Sequence, residues 1–367
     1  MNNYYLRARK KCCISTRLWQ LCILNNVSPK ALARALGETN YDLFKSLTSR
    51  FADNNMFNND FIEKLVQKFK ISADFFYYPI LLSSKLNKND LFFVKRKFFL
   101  SQDNILKLNV INEWANCIVQ TLEKDYVEFP RINLNRHERK RPYTFKEIYY
   151  IALKTRERFN LSGPISNIFD ILESKGFILM KIPKQIQADF AIKMYRCLPP
   201  ILLFKGNNEI TRFNMAMGLG HYVLHLKLIK ESILNDPFEY NILEKEAQWF
   251  AFFFLASTLD EDLAKTKVIC TEYMNHLQDK WGISYVDLFN YIRWIKPQIK
   301  FDIKTYKLSK VTDKYKSQEN TILRDSIQLI IDSLESKKSF LKKIPFYTNY
   351  IEEMCNLPPG YLSYEKK

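Results

Sequence analysis

The sequence predicts a mainly helical α+β fold with one small sheet, and three observations carry that reading. Only 8 Gly and 13 Pro punctuate 367 residues, too few turn formers for a β architecture of many short strands. Apolar residues recur at helical spacing through most of the chain. Three short β-like runs, 177–181, 188–194 and 201–204, stand close together near the middle.

The elements follow in order. Residues 1–14 read as a basic arm, and a helix follows over about 16–25 with Leu18, Leu21 and Cys22 on one face. Ser28 then Pro29 is a helix start, a hydroxyl cap before a residue whose missing N–H costs nothing at that position. This helix runs through Leu32 and Ala33 to Leu36 and stops at Gly37. Thr39 caps a second short helix over roughly 40–47, and another helix starts near Asp60, with Glu63 completing a capping box and Phe61, Leu65, Val66 and Phe69 inward. Residues 81–144 are charged and helical in parts, with basic clusters at 95–97 and 136–141, and read as a connector. A new unit begins at Phe145: helices to 159 and over 165–174, the three β-like runs, then helices at about 210–226, 242–255, 268–281 and 285–295. After Pro297 come a Lys-rich stretch, an amphipathic helix over 322–334 and a tail. The expected organisation is therefore arm 1–14, helix-turn-helix domain 15–80, helical linker 81–144, α+β domain 145–300 and C-terminal helical tail 301–367.

Apolar residues are 47% of the chain and aromatics 15%, enough for sizeable cores, which argues against wholesale disorder. The seven cysteines are scattered with no CxxC pair, which excludes a disulfide framework and a thiolate zinc site. No apolar run resembles a signal peptide, and the most hydrophobic stretch, 249–257, is about half a membrane span. A soluble, cytoplasmic protein without a membrane partner is expected. The net charge of +17 and pI near 9.3 favour a polyanionic partner. Lys outnumbers Arg, however, and Asn, Ile and Phe abound, a bias that an AT-rich genome also produces.

Two short capped helices around a Gly-containing turn are what the DNA major groove admits. Ala33 suits the steep crossing of the pair. Asn40, Tyr41 and Lys45 lie on the face that meets base edges, Thr39 caps the helix and reaches a phosphate, and Lys30, Arg34 and Arg50 neutralise phosphates. The run VSPKALARALGETNYDLFKSL with DFIEKLVQKFKISADFF resembles the lambda-repressor/Cro-type (XRE) helix-turn-helix family over residues 15–78. Ser46 and Leu47 depart from its usual aromatic–Glu pair. Asp42 puts a negative charge near DNA, which either weakens binding or accepts from cytosine N4. The resemblance implies a transcription regulator binding double-stranded DNA as a homodimer.

A zinc peptidase helix reads HExxH: two His on one face hold the metal and the Glu polarises its water. Here the helix reads RFNMAMGLGHYVLH, with Met217 in place of the first His and Gly218 in place of the Glu. That string, with EKEAQWFAFFFL downstream, GPISNIFDILESKGF before it and KWGISYVDLFNYIRWI after it, resembles the ImmA/IrrE-type metallopeptidase domain over about 145–296. The order of the two units matches as well. The resemblance implies a zincin-like fold in which His221 and Glu246 are vestigial ligand positions. With no first His and no Glu, no catalytic residue, metal or other cofactor is expected, and zinc enters only if the site is rearranged around His225. His221 and His225 are then packed or hydrogen-bonded remnants. The leading reading is a regulator whose pseudo-peptidase domain senses a small-molecule or protein effector. A peptidase with a rearranged site that cleaves a repressor, and a protein-interaction module of antitoxin or anti-repressor type, remain alternatives.

Overall fold

The computed structural model describes residues 13–37, 57, 59–78, 91–134, 137–194, 199–206, 209–228, 231–304, 319–333 and 336–363. Most of the basic arm, Thr39, Asn40, Tyr41, Lys45, Arg50 and the helix expected over 40–47 lie outside these residues. So do Asp42, Ser46, Leu47, Arg136 and the Lys-rich stretch after residue 304.

The N-terminal unit begins with α1 (Cys13–Leu24) and α2 (Pro29–Ala35). Ser28 Oγ accepts from the Ala31 N–H, and Gly37 takes φ +72°, the left-handed turn that favours glycine. Next come α3 (Asn59–Phe69) and α4 (Asp74–Tyr77). Helix α3 starts one residue before the expected cap, so Asp60 sits in its first turn, favourable to the helix dipole. Phe61, Leu65 and Phe69 point inward as the period requires, and Phe75 and Phe76 close the unit.

The stretch read as a connector is built into the fold. It supplies β1 (Leu91–Val94) and α5 (Gln102–Asp125), a 24-residue helix capped by Ser101 and buried along much of its length. Its charged residues masked the apolar face. After β2 (Glu138–Arg139) come α6 (Phe145–Arg158), begun by a Thr144–Glu147 capping box, and α7 (Ile168–Ser174). Strands β3 (Ile178–Lys181), β4 (Phe190–Met194) and β5 (Ile201–Phe204) precede α8 (Glu209–His225), β6 (Lys227–Leu228) and α9 (Pro237–Leu255). The second unit ends with α10 (Leu259–Asp262), β7 (Val268–Cys270), α11 (Thr271–Trp281), α12 (Tyr285–Ile295) and β8 (Lys300–Asp302). Residues 268–270, expected as the start of a helix, instead pair in parallel with β8.

The main sheet has the order β1-β4-β5-β3: β3 and β5 are parallel, while β4 is antiparallel to β5 and to β1. Two tethers hold β1 to the helices. Tyr240 Oη on α9 both accepts from the Val94 N–H and donates to its carbonyl, each at 2.7 Å, and Lys95 Nζ donates to Asn214 Oδ1 at 2.8 Å. Side chains alternate across a strand, and both faces of this sheet are covered. Phe93, Leu179, Phe190, Ile192, Leu202 and Phe204 face a core built on α6 to α12. Val94, Ile178, Met180, Ala191, Ile201 and Leu203 face a second core with α1 to α5. One sheet is therefore the wall between two hydrophobic cores. Both-sided burial also explains why these strands read as continuous apolar runs. The architecture is mainly α with a small mixed sheet, α+β as the sequence predicts. No helix among the described residues is long and apolar enough to cross a membrane.

The C-terminal stretch forms α13 (Ile322–Ser333), α14 (Lys337–Lys343) and α15 (Thr348–Met354), which join the N-terminal core. Phe346 stacks on Trp114 of α5 at 4.8 Å between centroids, and Tyr347 Oη accepts from Asn25 Nδ2 at 3.2 Å. The tail docks on its own chain. Its first helix is capped from the other unit, since Glu173 of α7 accepts from the backbone N–H groups of Thr321 and Ile322.

Burial pushes the Glu173 carboxyl up to about 7, against the lowering effect of those hydrogen bonds. The folded state therefore keeps a proton that the unfolded chain releases near 4.5. Below that value both states are protonated. As pH rises from there to about 7 the unfolded state binds fewer protons, so this group's effect on stability becomes unfavourable. Glu173→Gln, which cannot ionise, is expected to remove a pH-dependent loss on the order of 3 kcal/mol. Urea denaturation at several pH values checks this, and identical slopes in both proteins would refute it.

Candidate functional site

Helix α8 is enclosed on two sides because it carries two glycines. A Cβ at Gly218 would overlap Leu202 Cδ2 and stand 2.9 Å from Phe190 Cζ, so this position lets the helix lie close on β4 and β5. A Cβ at Gly220 would come within 3.0 Å of Phe250 Cδ1 and 3.2 Å of the Ala247 carbonyl on α9. The helix-propensity cost of Gly218, roughly 1 kcal/mol against Ala, is thus the condition of close packing. Gly218, which the resemblance places at the position of the catalytic Glu, is the residue that seats the helix on the sheet.

This close seating turns the C-terminal half of α8 toward α9 and β2, where four polar side chains form a buried chain. His221 and His225, one helical turn apart, face each other with their Nδ1 atoms 3.0 Å apart. His225 Nε2 lies 2.8 Å from Glu246 Oε2. Arg139 grips both carboxylate oxygens, Nε to Oε2 at 2.9 Å and Nη2 to Oε1 at 3.3 Å, and the Tyr143 N–H donates to Oε1 at 2.7 Å. Side-chain exposure of Arg139 and Glu246 is only 3% and 4%. Phe93 of β1 stacks on His221 at 4.3 Å.

The proton inventory follows from who accepts. Burial pushes the Glu246 carboxyl up, but the hydrogen bonds from His225 and Arg139 and the positive charge of the guanidinium outweigh it and hold its pKa below the ordinary value. It is a carboxylate and an acceptor only. His225 therefore donates through Nε2, which in a neutral ring leaves Nδ1 as acceptor, and His221 donates to it through Nδ1. Burial lowers the pKa of both imidazoles, strongly for His221, where His225 adds to the effect. Both rings are neutral, and the one full positive charge facing the carboxylate is the guanidinium.

Zinc, which the family resemblance associates with His221 and Glu246, does not fit this donor set. Both Glu246 oxygens are engaged, the His225 lone pair is taken by His221, and only the Nε2 lone pair of His221 remains from the two rings. Met217 is packed in the core, and a thioether is a weak zinc ligand. No group of three His, Cys, Asp or Glu among the described residues is placed to hold a metal ion.

The chain matches no protein-family model and no curated protein sequence. Functional reading therefore rests on the geometry and on the sequence motifs themselves.

Of the expected DNA-contacting residues, Lys30 and Arg34 are described, and both are exposed on α2 while Leu32 is buried beneath them. Thr39, Asn40, Tyr41, Lys45 and Arg50 lie outside the described residues. His221 and Glu246, the ligand positions that the resemblance implies, are brought together through His225. Reading the sequence missed Arg139, Tyr143 and Phe93, which all come from the stretch taken as a connector. The basic run 136–141 was the available signal, but nothing local distinguishes Arg139 from its neighbours. Its partner stands 107 positions further on.

Proposed function

We propose that this protein is a DNA-binding transcription regulator of the XRE helix-turn-helix type. Its second unit resembles an ImmA/IrrE peptidase domain and serves as a sensing and coupling module rather than an enzyme. The observation that carries the second half is the Arg139–Glu246 pair. A guanidinium occupies the carboxylate that hydrolysis would need for a metal, and Gly218 supplies no carboxylate base on the helix. Support for the first half is the Ser28-capped, Gly37-terminated α2 with Lys30 and Arg34 turned to solvent above a buried Leu32, within a chain of net charge +17. A homodimer on a two-fold operator is part of the proposal, as is a cytoplasmic setting.

In this reading the shared sheet is the route between the units. A ligand that displaced β1 or α8 would also disturb the other face, on which the DNA-binding unit rests through α5.

The test is selection of bound duplexes from a random pool, followed by fluorescence anisotropy across a salt series. Micromolar or tighter binding that falls steeply with salt is expected. Lys30→Ala and Arg34→Ala should each reduce the salt slope by about 1, whereas Asn40→Ala and Tyr41→Ala should relax specificity. A pool that yields no motif would end the regulator reading.

A further inference from the structure

An open cleft runs along the outer side of α6. Leu134, Ile151 and the ring of Tyr150 give it an apolar lining, and His137, Lys154, Thr155 and Arg158 complete it. Among the described residues no carboxylate lines it. Glu157, the neighbouring residue on the helix, binds Lys154 at 2.6 Å and offsets that charge. Arg158 makes no ion pair with another described residue. We propose that this cleft binds a small organic anion: a phosphate or carboxylate gripped by Arg158, on an apolar or aromatic body that packs against Leu134, Ile151 and Tyr150.

The chemistry matches that ligand class on each side. A guanidinium presents parallel N–H donors in the spacing of a phosphate or carboxylate, and the bonds are charge-assisted. Small-molecule sites are mostly apolar, with a few polar groups that set orientation, and the cleft has this composition. The charges acting on His137 are those of Arg158 and Lys227, both positive, which add to burial in disfavouring its imidazolium. An anion here would relieve a local excess of positive charge.

The cleft also touches the buried chain. The His137 N–H donates to the Val223 carbonyl of α8 at 3.2 Å. Two residues on, Arg139 holds Glu246. A ligand that repositions residue 137 acts on the strand that carries the guanidinium. This assigns an effector class to the second unit and rests on the regulator reading only for the effect on DNA.

The protein has four histidines, so the imidazole C2 protons give a small set of NMR signals. Titration with phenyl phosphate, benzoate and inorganic phosphate should move the His137 signal saturably with at least one of the first two, while His276 stays in place. Arg158→Ala should weaken the tighter of these by at least about tenfold, with Arg158→Lys in between. Phenyl phosphate and benzoate separate the phosphate from the carboxylate source. Inorganic phosphate binding as tightly as phenyl phosphate would overturn the role of the apolar lining. No saturable shift, or unchanged binding in Arg158→Ala, would overturn the site whatever the DNA experiments give. Saturable, Arg158-dependent binding in a protein that recovers no DNA motif would uphold the site and sink only the regulator reading.

Discussion

Arg139→Ala is expected to destabilise the protein by about 3–5 kcal/mol, because it leaves the buried carboxylate of Glu246 without its cation. The remaining contacts, from His225 and the Tyr143 N–H, are neutral donors. They do not replace a guanidinium whose two bonds span both oxygens. In the native protein the Glu246 pKa lies below its ordinary value, so the stabilising contribution is present above the unfolded-state pKa. It is lost only as pH falls through the depressed folded value. In Arg139→Ala burial dominates, the pKa rises, and the sign reverses: stability then falls as pH increases. Guanidinium denaturation at pH 5 and pH 8 distinguishes the two patterns. Because the cost lies in the orphaned charge, Arg139→Met with Glu246→Gln is expected to be milder than Arg139→Ala alone. A double variant worse than the sum of its parts would contradict this account.

The second large effect is expected at the other core. Trp114→Ala should cost about 3–5 kcal/mol, the range for deleting a fully buried large aromatic side chain. Trp114 is fully buried, stacks on Phe346, meets Phe75 edge-on at 5.8 Å and donates from Nε1 to Gln20 Oε1 at 3.0 Å. Gln20 in turn accepts from Arg17, whose guanidinium lies 5.4 Å from the Phe75 and Phe346 ring centres. One side chain thus joins α1, α4, α5 and the C-terminal stretch. Phe346→Ala should be strongly non-additive with Trp114→Ala, since each removes the partner of the other. Leu329→Ala, at a position 63% exposed, should stay within about 0.5 kcal/mol. If Trp114→Ala costs no more than Leu329→Ala in urea denaturation, the tail is not packed there as described.

The helices and central strands were legible because each satisfies a local rule. Ser28 before Pro29 announces a helix start, and the Ser28 side chain caps it; Thr144 and Ser284, not read as caps in the sequence, do the same for α6 and α12. Gly37 takes the left-handed turn, and the apolar runs at 177–181, 188–194 and 201–204 hold the strands β3, β4 and β5. Strand β1 was missed: Phe92, Phe93 and Val94 are strand formers, but a four-residue apolar run beside a Lys-Arg-Lys cluster is too short for periodicity to assign. What makes them a strand is the exposed edge of β4. Helix α5 was only half visible because its charges are spread along its length.

The candidate site divides in the same way. The presence of Met217 and Gly218 where an HExxH helix would carry its first His and its Glu is a property of the sequence, as are the one-turn spacing of His221 and His225 and the candidacy of Glu246. The choice of Arg139 as the counter-ion, the tautomers of the two imidazoles and the close seating of Gly218 belong to the tertiary structure. Local sequence determines which residues share a helix face, because that depends on 1.5 Å of rise and 3.6 residues per turn. It does not determine which distant charge will enter a buried site. That is settled only when the chain closes and a desolvated carboxylate must find a cation.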